Sequence, residues 1–277
     1  MLSNGIVFKS TGENFLTITG LRAIANIVQA GGVQTGSADI SIFGMLESDM
    51  NQLTSLSFDL IGKTQEEIFR NTVTVEADGV FCFTGTIINC FGVYSMQPDV
   101  FLHIEAVTQY FDKINPYPPS CFPGQADVAT MMTGLANAMN LQLENNGINI
   151  KTESVYFAGT AMRQAADIAE HNNFDLFYEG YTMVIVPRGG SRSMPVPLIS
   201  RDTGLAGYPS FDNMGVSFRT LFNPMIHFLS TVEVSCPIIR ANGNWIVNSL
   251  RYTLESEKPG GAWFMDVRAA KGASYGG

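Results

Sequence analysis

The residues of this chain best suited to chemistry are its histidines and cysteines, which can bind metal ions or act as bases and nucleophiles. The histidines are His103, His171 and His227, and the cysteines are Cys82, Cys90, Cys121 and Cys236. Because the sequence contains no HExxH, HxH or CxxC arrangement, it predicts no metal site and no cofactor. No base is placed beside Cys121, the best candidate nucleophile, so we expect all four thiols to be reduced and packed.

Two groups of carboxylates could serve as the acid and base of a glycoside hydrolase. They are Asp49 with Glu66 and Glu67, and Glu255 with Glu257. These residues lie in predicted turns or on predicted solvent faces, and a chain with 25 acidic residues brings carboxylates together by chance. The sequence also lacks the GxSxG motif of serine hydrolases. It therefore predicts no catalytic residue and no enzymatic activity.

Glycine pairs and one group of arginines are further candidates for ligand binding. The glycine pairs considered are Gly31-Gly32, Gly189-Gly190 and Gly260-Gly261. They lack the lysine and hydroxyl residue of a phosphate-binding loop, so we predict turns. The arginines are Arg188, Arg192 and Arg201. Two interpretations of this basic cluster stay open: it binds an acidic partner surface, or it solubilises a linker.

The composition is typical of a protein that contacts other subunits. Only 15% of the residues are charged and 45% are hydrophobic, so much of the surface is predicted to be uncharged. The formal charge of −9 argues against nucleic-acid binding, which needs clustered lysine and arginine. No apolar run is long enough to span a bilayer, and the N-terminus lacks a signal-peptide pattern. We therefore expect synthesis in a cytosol.

Residues 6–111 are predicted to form strands, because the hydrophobic pattern there has a period of two. These strands would position the candidate residues in this part of the chain. The strand-like segments are FLTITG, RAIANIVQA, ADISIFG, NTVTVEA, VFCFTGTIINCF and VFLHIEA. They predict an antiparallel barrel or sandwich. One short helix is predicted over residues 46–56. Its apolar face would contain Leu46, Met50, Leu53 and Leu56.

The middle of the chain has a different pattern. The segment INPYPPSCFPG carries four prolines and predicts a stiff connection too short for any regular element, hence a domain boundary. Residues 127–186 then predict a small α/β module, with Asp127 capping its first helix and a turn at Asn146-Gly147. The apolar helix faces would contain Val128, Met131, Met132, Leu135 and Met139, then Met162, Ala165, Ala166 and Ala169. The strands FDLFYEG and TMVIVP would pair, and RGGSRSMPVP marks a second boundary.

Residues 230–270 repeat much of the pattern of residues 71–107. Both segments begin with a Thr-Val-x-Val strand, continue into a long apolar strand, cross a turn at Pro98 or Pro259, and end on an alternating strand. We interpret this similarity as a duplication. It predicts that the two segments superpose as equivalent strands of two β domains.

The predicted fold is α+β and mainly β. Trp245 and Trp263 are the largest core candidates of the second β domain. The predicted divisions are a first β domain at 1–115, an α/β domain at 120–190, a second β domain at 195–271 and a flexible tail at 272–277.

Several stretches together resemble the baseplate hub proteins of long-tailed bacteriophages, with contractile-tailed phages favoured. In chain order these are ADISIFGMLESDMNQLTSL, NTVTVEA with FTGTIINCF, DVATMMTGLANAMNLQLENNG, VPRGGSR with VPLISRDTGLAGYP, and LFNP with NWIVNSLRYTLES. The resemblance covers nearly the whole chain, and none of these strings is a catalytic signature.

The resemblance implies a structural virion protein that forms a homotrimer, with two tube-type β-barrels per chain and the α/β domain inserted between them. Its implied partners are the tail tube protein, the central spike protein and other baseplate proteins. The tube is hexameric and the spike is trimeric, so a trimer would match both by presenting roughly six similar barrels. DNA would pass through the lumen without specific binding, and the acidic charge predicts an acidic or uncharged lumen.

Assembly would occur in the host cytoplasm, and the mature location would be the tail baseplate. Two alternatives stay open at this point. One is a peptidoglycan-degrading tail hydrolase, and the other is a peripheral carbohydrate- or receptor-binding tail module.

Overall fold

The computed structural model describes residues 6–11, 16–29, 35–58, 72–95 and 97–272, which group into two compact units. The first unit contains the described residues of Met1–Val28 and Gly36–Phe111, together with Tyr252–Phe264. The second contains Asp112–Arg251 and most of the remaining described residues. The division into three domains at 1–115, 120–190 and 195–271 stays a prediction. Apart from Gly272, the predicted flexible tail lies outside the described residues.

The N-terminal strands form an antiparallel sheet in the first unit, in the order β3–β4–β7–β6–β5–β1–β2. They are β1 (Ile6–Thr11), β2 (Leu16–Ile18), β3 (Ala23–Gln29), β4 (Ser37–Phe43), β5 (Thr72–Ala77), β6 (Val80–Val93) and β7 (Phe101–Val107). Buried and more exposed residues alternate along β3, β4 and β7, as expected for strands with one face on a core. The predicted antiparallel, mainly β fold is confirmed.

The predicted helix over 46–56 is present as α1 (Glu47–Phe58). Met50 and Leu53 are each 2% exposed, which confirms the predicted apolar face at these two positions. Leu46 precedes the helix and is exposed, so its inclusion in that face was wrong. The side chain of Leu56 lies outside the described residues.

The second unit contains the predicted α/β module. Its elements, after the short helix α2 (Tyr110–Ile114), are β8 (Pro116–Asp127), α3 (Val128–Ala138), β9 (Gln142–Asn145), β10 (Lys151–Thr160), α4 (Ala161–His171), β11 (Phe174–Glu179) and β12 (Thr182–Pro187). Asp127 caps α3 by accepting a hydrogen bond from the Thr130 backbone N–H at 2.9 Å. The apolar faces of α3 and α4 share one core with β11 and β12. The predicted capping residue and strand pair are therefore confirmed.

The proline segment after residue 114 is a strand, contrary to the prediction that it is too short for any element. Strand β8 pairs antiparallel with β10, from Pro116 opposite Thr160 to Asp127 opposite Lys151. Pro118, Pro119 and Pro123 all fall where the register is interrupted. The missing proline N–H groups therefore lie at breaks in the hydrogen-bonded ladder, which explains how the strand tolerates them.

The remaining strands lie after the second predicted boundary. They are β13 (Leu198–Ile199), β14 (Leu205–Asp212), β15 (Gly215–Leu221), β16 (Thr231–Val234), β17 (Gly243–Ser256) and β18 (Trp263–Ala270). Their order is β14–β15–β18–β17, with β16 paired to β17 and β13 paired parallel to β16. Trp245 is buried, as predicted, whereas Trp263 is only partly buried.

The two segments of the predicted duplication have the same strand pattern. The first is β5–β6–β7 and the second is β16–β17–β18, and each is three successive strands with a central strand of 14 residues. Pro98 and Pro259 both lie between the second and third strands. The superposition of the two segments stays a prediction. Within the described residues, no helix has the length and hydropathy needed to cross a membrane.

Candidate functional site

The β14–β15 hairpin of the second unit carries several exposed apolar side chains. Strand β14 is the last strand in the sheet order, so its outer side forms an edge. Tyr208 is 75% exposed and Met214, in the connecting turn, is 67% exposed. Phe211 and Leu221 are also exposed. Apolar side chains gathered at a strand edge are typical of a protein contact surface.

The hairpin is held in place by its turn and by ion pairs. Asp212 Oδ1 accepts hydrogen bonds from the backbone N–H groups of Met214 and Gly215, at 2.8 and 3.0 Å. Gly215 has a φ of 149°, and a Cβ there would lie 2.1 Å from the Ala269 carbonyl oxygen, so only glycine fits. Arg219 donates two hydrogen bonds to Asp266, at 2.7 and 3.0 Å. These contacts fix the hairpin on β18 while its apolar side chains stay exposed.

Arg192 lies at the centre of a polar cluster within the second unit. Its guanidinium donates two hydrogen bonds to Glu144, at 2.9 and 2.6 Å, and one to Glu179 at 2.6 Å. The Arg192 side chain is only 5% exposed and packs over the Phe177 ring, 5.3 Å from its centroid. His227 Nδ1 lies 3.2 Å from the second oxygen of Glu179. The cluster therefore fastens the 188–197 segment to β9 and β11.

Interactions with Arg192 stabilise the ionised form of both carboxylates in this cluster, Glu144 and Glu179. The hydrogen bonds from Arg192 hold the pKa of Glu144 below its usual range. Burial raises the pKa of Glu179, but the His227 hydrogen bond and the charge of Arg192 outweigh that effect and leave it lowered. A general acid needs a raised pKa, so the arrangement is suited to holding structure.

The structure separates the three arginines that the sequence suggested as one cluster. Arg188 is half-exposed and lies 3.4 Å from Asp175, whereas Arg192 is buried and Arg201 is exposed in a short 3-10 turn. The charge of Arg192 is neutralised inside the chain, which removes it from any surface for an acidic partner. The sequence did not reveal Glu144 and Glu179 as its partners, because the pairing depends on the register of β9, β12 and β11.

The candidate nucleophiles lie in different environments. Cys82 and Cys90 are buried, and burial raises the pKa of each thiol to about 12, so neither supplies a thiolate at neutral pH. Cys236 is partly buried. Cys121 is exposed on β8, so the expectation that it is packed was wrong.

Among the described candidate carboxylates, Glu255 lacks the character of a general acid. Burial opposes the charge of Glu255, but Lys258 at 2.9 Å lowers its pKa, and Arg22 lies 3.4 Å away. The general acid of a glycoside hydrolase needs the opposite shift. Glu66 and Glu67 lie outside the described residues.

The three histidines differ in their surroundings. His227 belongs to the Arg192 cluster, and His171 lies near the Phe157 ring at the end of α4. His103 is placed beside Asp39 and Glu105, a grouping that motif spacing did not reveal because it is formed across two strands.

A cleft of about 490 Å³ is lined by residues of α4 and β11, together with Arg188, Phe228, Leu229 and Asn248. Four of the charged groups on its wall form two pairs: Arg163 contacts Asp167 at 2.9 Å, and Arg188 contacts Asp175 at 3.4 Å. Its floor includes Phe174 and other apolar residues. Apart from Glu170, the charged residues described on this wall are arranged in structural pairs rather than converging on a ligand position.

Comparison with known families gives a match over most of the sequence. Residues 5–260 match the model of the family described as Baseplate hub gp41. This chain belongs to the Baseplate hub gp41 family. Baseplate hub members are structural proteins of the phage tail. No curated protein sequence matches the chain.

The fold of this baseplate hub chain is shared with solved tail proteins. The 43 kDa tail protein of prophage MuSo2 from Shewanella oneidensis has 13% identity and a TM-score of 0.68, with 97% of each chain covered. A tail protein from Neisseria meningitidis MC58 has 12% identity and the same TM-score, with 97% of this chain and 96% of that chain covered. The E. coli protein c3393 has 8% identity and a TM-score of 0.64, with 96% and 77% covered. It is described as a type VI secretion component with structural similarity to the T4 tail proteins gp27 and gp5.

Proposed function

We propose that this chain forms the central hub of a phage tail baseplate, as a homotrimer that joins the hexameric tail tube to the trimeric spike. The observation that carries the proposal is the match of residues 5–260 to a baseplate hub family. The shared fold of an E. coli protein described as similar to gp27 and gp5 supports it. Other baseplate proteins would surround the hub, and assembly would take place in the host cytoplasm.

The repeated strand pattern supports the proposed change of symmetry. Strands β5–β7 and β16–β18 give each chain two similar three-stranded segments with long central strands. If each segment belongs to a tube-type barrel, a trimer presents roughly six such barrels on one side and threefold symmetry on the other. The function is then geometric, and no substrate is turned over.

The β14–β15 hairpin is the proposed contact with a neighbouring chain. Tyr208 and Met214 are the two most exposed apolar residues of this hairpin. Burying them against another subunit would remove apolar surface from water, which favours association. The low charge content of the whole chain fits this use of its surface.

DNA passage is the last part of the proposal. The formal charge of −9 would keep a lumen made from this chain from holding DNA through its phosphates. A lumen lined mainly by lysine and arginine in the assembled tail would contradict this part without affecting the trimer.

The hub proposal is tested by Tyr208→Lys, with Tyr156→Lys as the matched control. Both tyrosines are exposed, at 75% and 65%, but Tyr156 lies on β10 of the α/β module. In a complementation assay with phage lacking this gene product, we expect Tyr208→Lys to abolish complete tails and Tyr156→Lys to leave them intact. Electron microscopy of wild-type tails should show this chain between tube and spike. Density for it elsewhere would overturn the proposal.

The enzymatic alternative has a direct test as well. A zymogram of the purified chain on peptidoglycan should show no clearing. Clearing that survives purification would establish a hydrolase and contradict the purely structural function.

A further inference from the structure

Three potential metal ligands lie together on one face of the first unit's sheet. Asp39 on β4 is directly opposite Glu105 on β7, and His103 is two residues before Glu105 on the same strand. Side chains two apart on a strand point to the same face, so all three point to one side. The intervening residues Ile40 and Ile104 point to the other side and are buried in the core.

The distances within this group suit ligands around an ion. His103 Nε2 lies 3.4 Å from Glu105 Oε1 and 3.8 Å from Asp39 Oδ2. A charge-assisted N–H···O hydrogen bond is shorter, at ~2.7–2.9 Å. Tetrahedral zinc with bonds of ~2.0–2.1 Å to nitrogen and oxygen separates its ligand atoms by roughly 3.3–3.4 Å. The observed spacings therefore need only a small adjustment to bind zinc.

The electrostatics also favour a cation at this position. Two carboxylates directly opposite each other on an antiparallel pair repel. Within the described part of the chain, Asp39 and Glu105 both form their ion pairs with His103, and this imidazole is charged only when it is protonated. A divalent ion would neutralise both carboxylates and accept the neutral imidazole as a ligand at the same time.

Neighbouring side chains already orient the ligands. Asn89 on β6 is placed opposite Glu105, and its Nδ2 lies 3.5 Å from Glu105 Oε2. The Phe91 ring lies 5.0 Å from the His103 ring and restricts its rotation. Such outer contacts hold metal ligands in position before the ion binds.

We propose that Asp39, His103 and Glu105 form a zinc site that cross-links β4 and β7. The mixed imidazole and carboxylate set suits zinc better than magnesium, which takes oxygen ligands. The three protein ligands leave a fourth position that faces outward, because the Asp39 and Glu105 side chains are 55% and 43% exposed. A water molecule, or a side chain from another baseplate protein, can occupy it.

The test uses the full chain, freed of metal with a chelator and titrated with ZnCl2 by calorimetry. We expect one saturable zinc ion per chain and no binding of MgCl2. Asp39→Asn and His103→Gln should each weaken zinc binding by at least ~10-fold, the loss seen when even an outer-shell partner is removed. His171→Gln, which changes a histidine at a helix end, should bind zinc like the wild type.

A second readout follows the stability of the first unit. In a Trp245→Phe background, Trp263 is the remaining tryptophan and lies in that unit. Zinc should raise the unfolding temperature seen by Trp263, and Asp39→Asn should remove the shift. Because the Asp39 side chain is exposed, we expect Asp39→Asn to fold like the wild type. Absence of saturable binding up to ~1 mM zinc, a free energy weaker than about −4 kcal/mol, would overturn the proposal. Equal zinc affinity in wild type and His103→Gln would also overturn it, and would place the ion elsewhere.

Discussion

Replacing Arg192 with methionine should destabilise the second unit by about 3 kcal/mol. The substitution keeps much of the apolar stem but leaves two carboxylates without their cation. Removing one partner of a buried ion pair costs ~3–5 kcal/mol, and an exposed pair is worth only ~0.2–1 kcal/mol. Glu179 is 16% exposed and Glu144 is 34% exposed, so Glu179 dominates the cost and the total falls near the lower bound for a buried pair.

The assay can isolate the unit that contains the cluster. The chain has two tryptophans, of which Trp245 belongs to the second unit and Trp263 to the first. In a Trp263→Phe background, urea unfolding followed by fluorescence therefore reports on the surroundings of Trp245. With a slope of ~3 kcal/mol per molar urea, a loss of about 3 kcal/mol lowers the midpoint by about 1 M.

The effect should also depend on pH in a defined direction. The native pKa values of Glu144 and Glu179 lie below the ordinary glutamate value of 4.5. Their contribution is therefore fully present above pH 4.5 and is lost as the pH falls through the lowered values. In Arg192→Met the unpaired Glu179 takes up a proton more readily, so the difference between the variant and the wild type should shrink from pH 7.5 to pH 4.5.

Arg188→Met provides the matched control, because it makes the same substitution four residues earlier. Arg188 is 48% exposed and forms one ion pair at 3.4 Å, so its loss should cost ~0.5 kcal/mol or less. Adding Glu179→Gln to Arg192→Met should recover part of the lost stability by removing the unpaired charge. Equal destabilisation by the two arginine variants, or no recovery in the double variant, would refute the reasoning.

Three further substitutions test other parts of the second unit. Gln164→Leu should cost about 3 kcal/mol in urea unfolding, because its fully buried amide bonds to the backbone at Pro118, Ser120 and Gly159. Asp112→Asn should stabilise the protein by ~1 kcal/mol at pH 7.5, a value discounted for partial exposure. Burial raises the pKa of Asp112 to about 6 from 3.8, so the native state binds more protons between these values and its stability falls as pH rises. Gly215→Ala should lower the unfolding temperature and cost ~3 kcal/mol, because the new Cβ meets a backbone carbonyl.

Each of these substitutions has its own control. Gln142→Leu changes an exposed glutamine and should stay within ~0.5 kcal/mol of the wild type. Asp99→Asn, at an exposed aspartate, should show no gain at pH 7.5, and the gain in Asp112→Asn should disappear by pH 4. Gly134→Ala lies in α3 with open space around it and should stabilise by ~0.5–1 kcal/mol. Opposite signs for the two glycine variants would separate local strain from helix propensity.

The sequence predicted the elements whose signal is local. Period-two alternation identified β3, β4 and β7, and Asp127 was recognised as the cap of α3 because capping involves residues three apart. The helices and strands that such local patterns predict necessarily follow one another along the chain in the predicted order. Local rules suffice wherever the relevant partner is a few residues away.

The features that the sequence did not predict depend on pairing between distant segments. The prolines before residue 124 predicted a break between elements. The strand β8 accommodates them only because they fall at gaps in its register with β10. The partners of Arg192 are 48 and 13 residues away, and the partner of His103 on the neighbouring strand is Asp39. Strand register decides all three cases, and one sequence without its pairing does not fix register.

In a protein that binds neighbouring subunits through its sheets, a strand with an unpaired edge is available for contact with another chain. Among the described strands, β14 pairs with β15 alone and ends the sheet. An isolated soluble protein usually protects such an edge with charge or proline, because unpaired strands promote aggregation. Here Pro209 lies within the strand, but Tyr208 and Phe211 beside it are exposed and apolar. Pro209 is buried and has no N–H to offer an added strand, while the exposed aromatic side chains favour contact with a partner. Limited protection of this kind suits an edge that is covered in an assembly of fixed size.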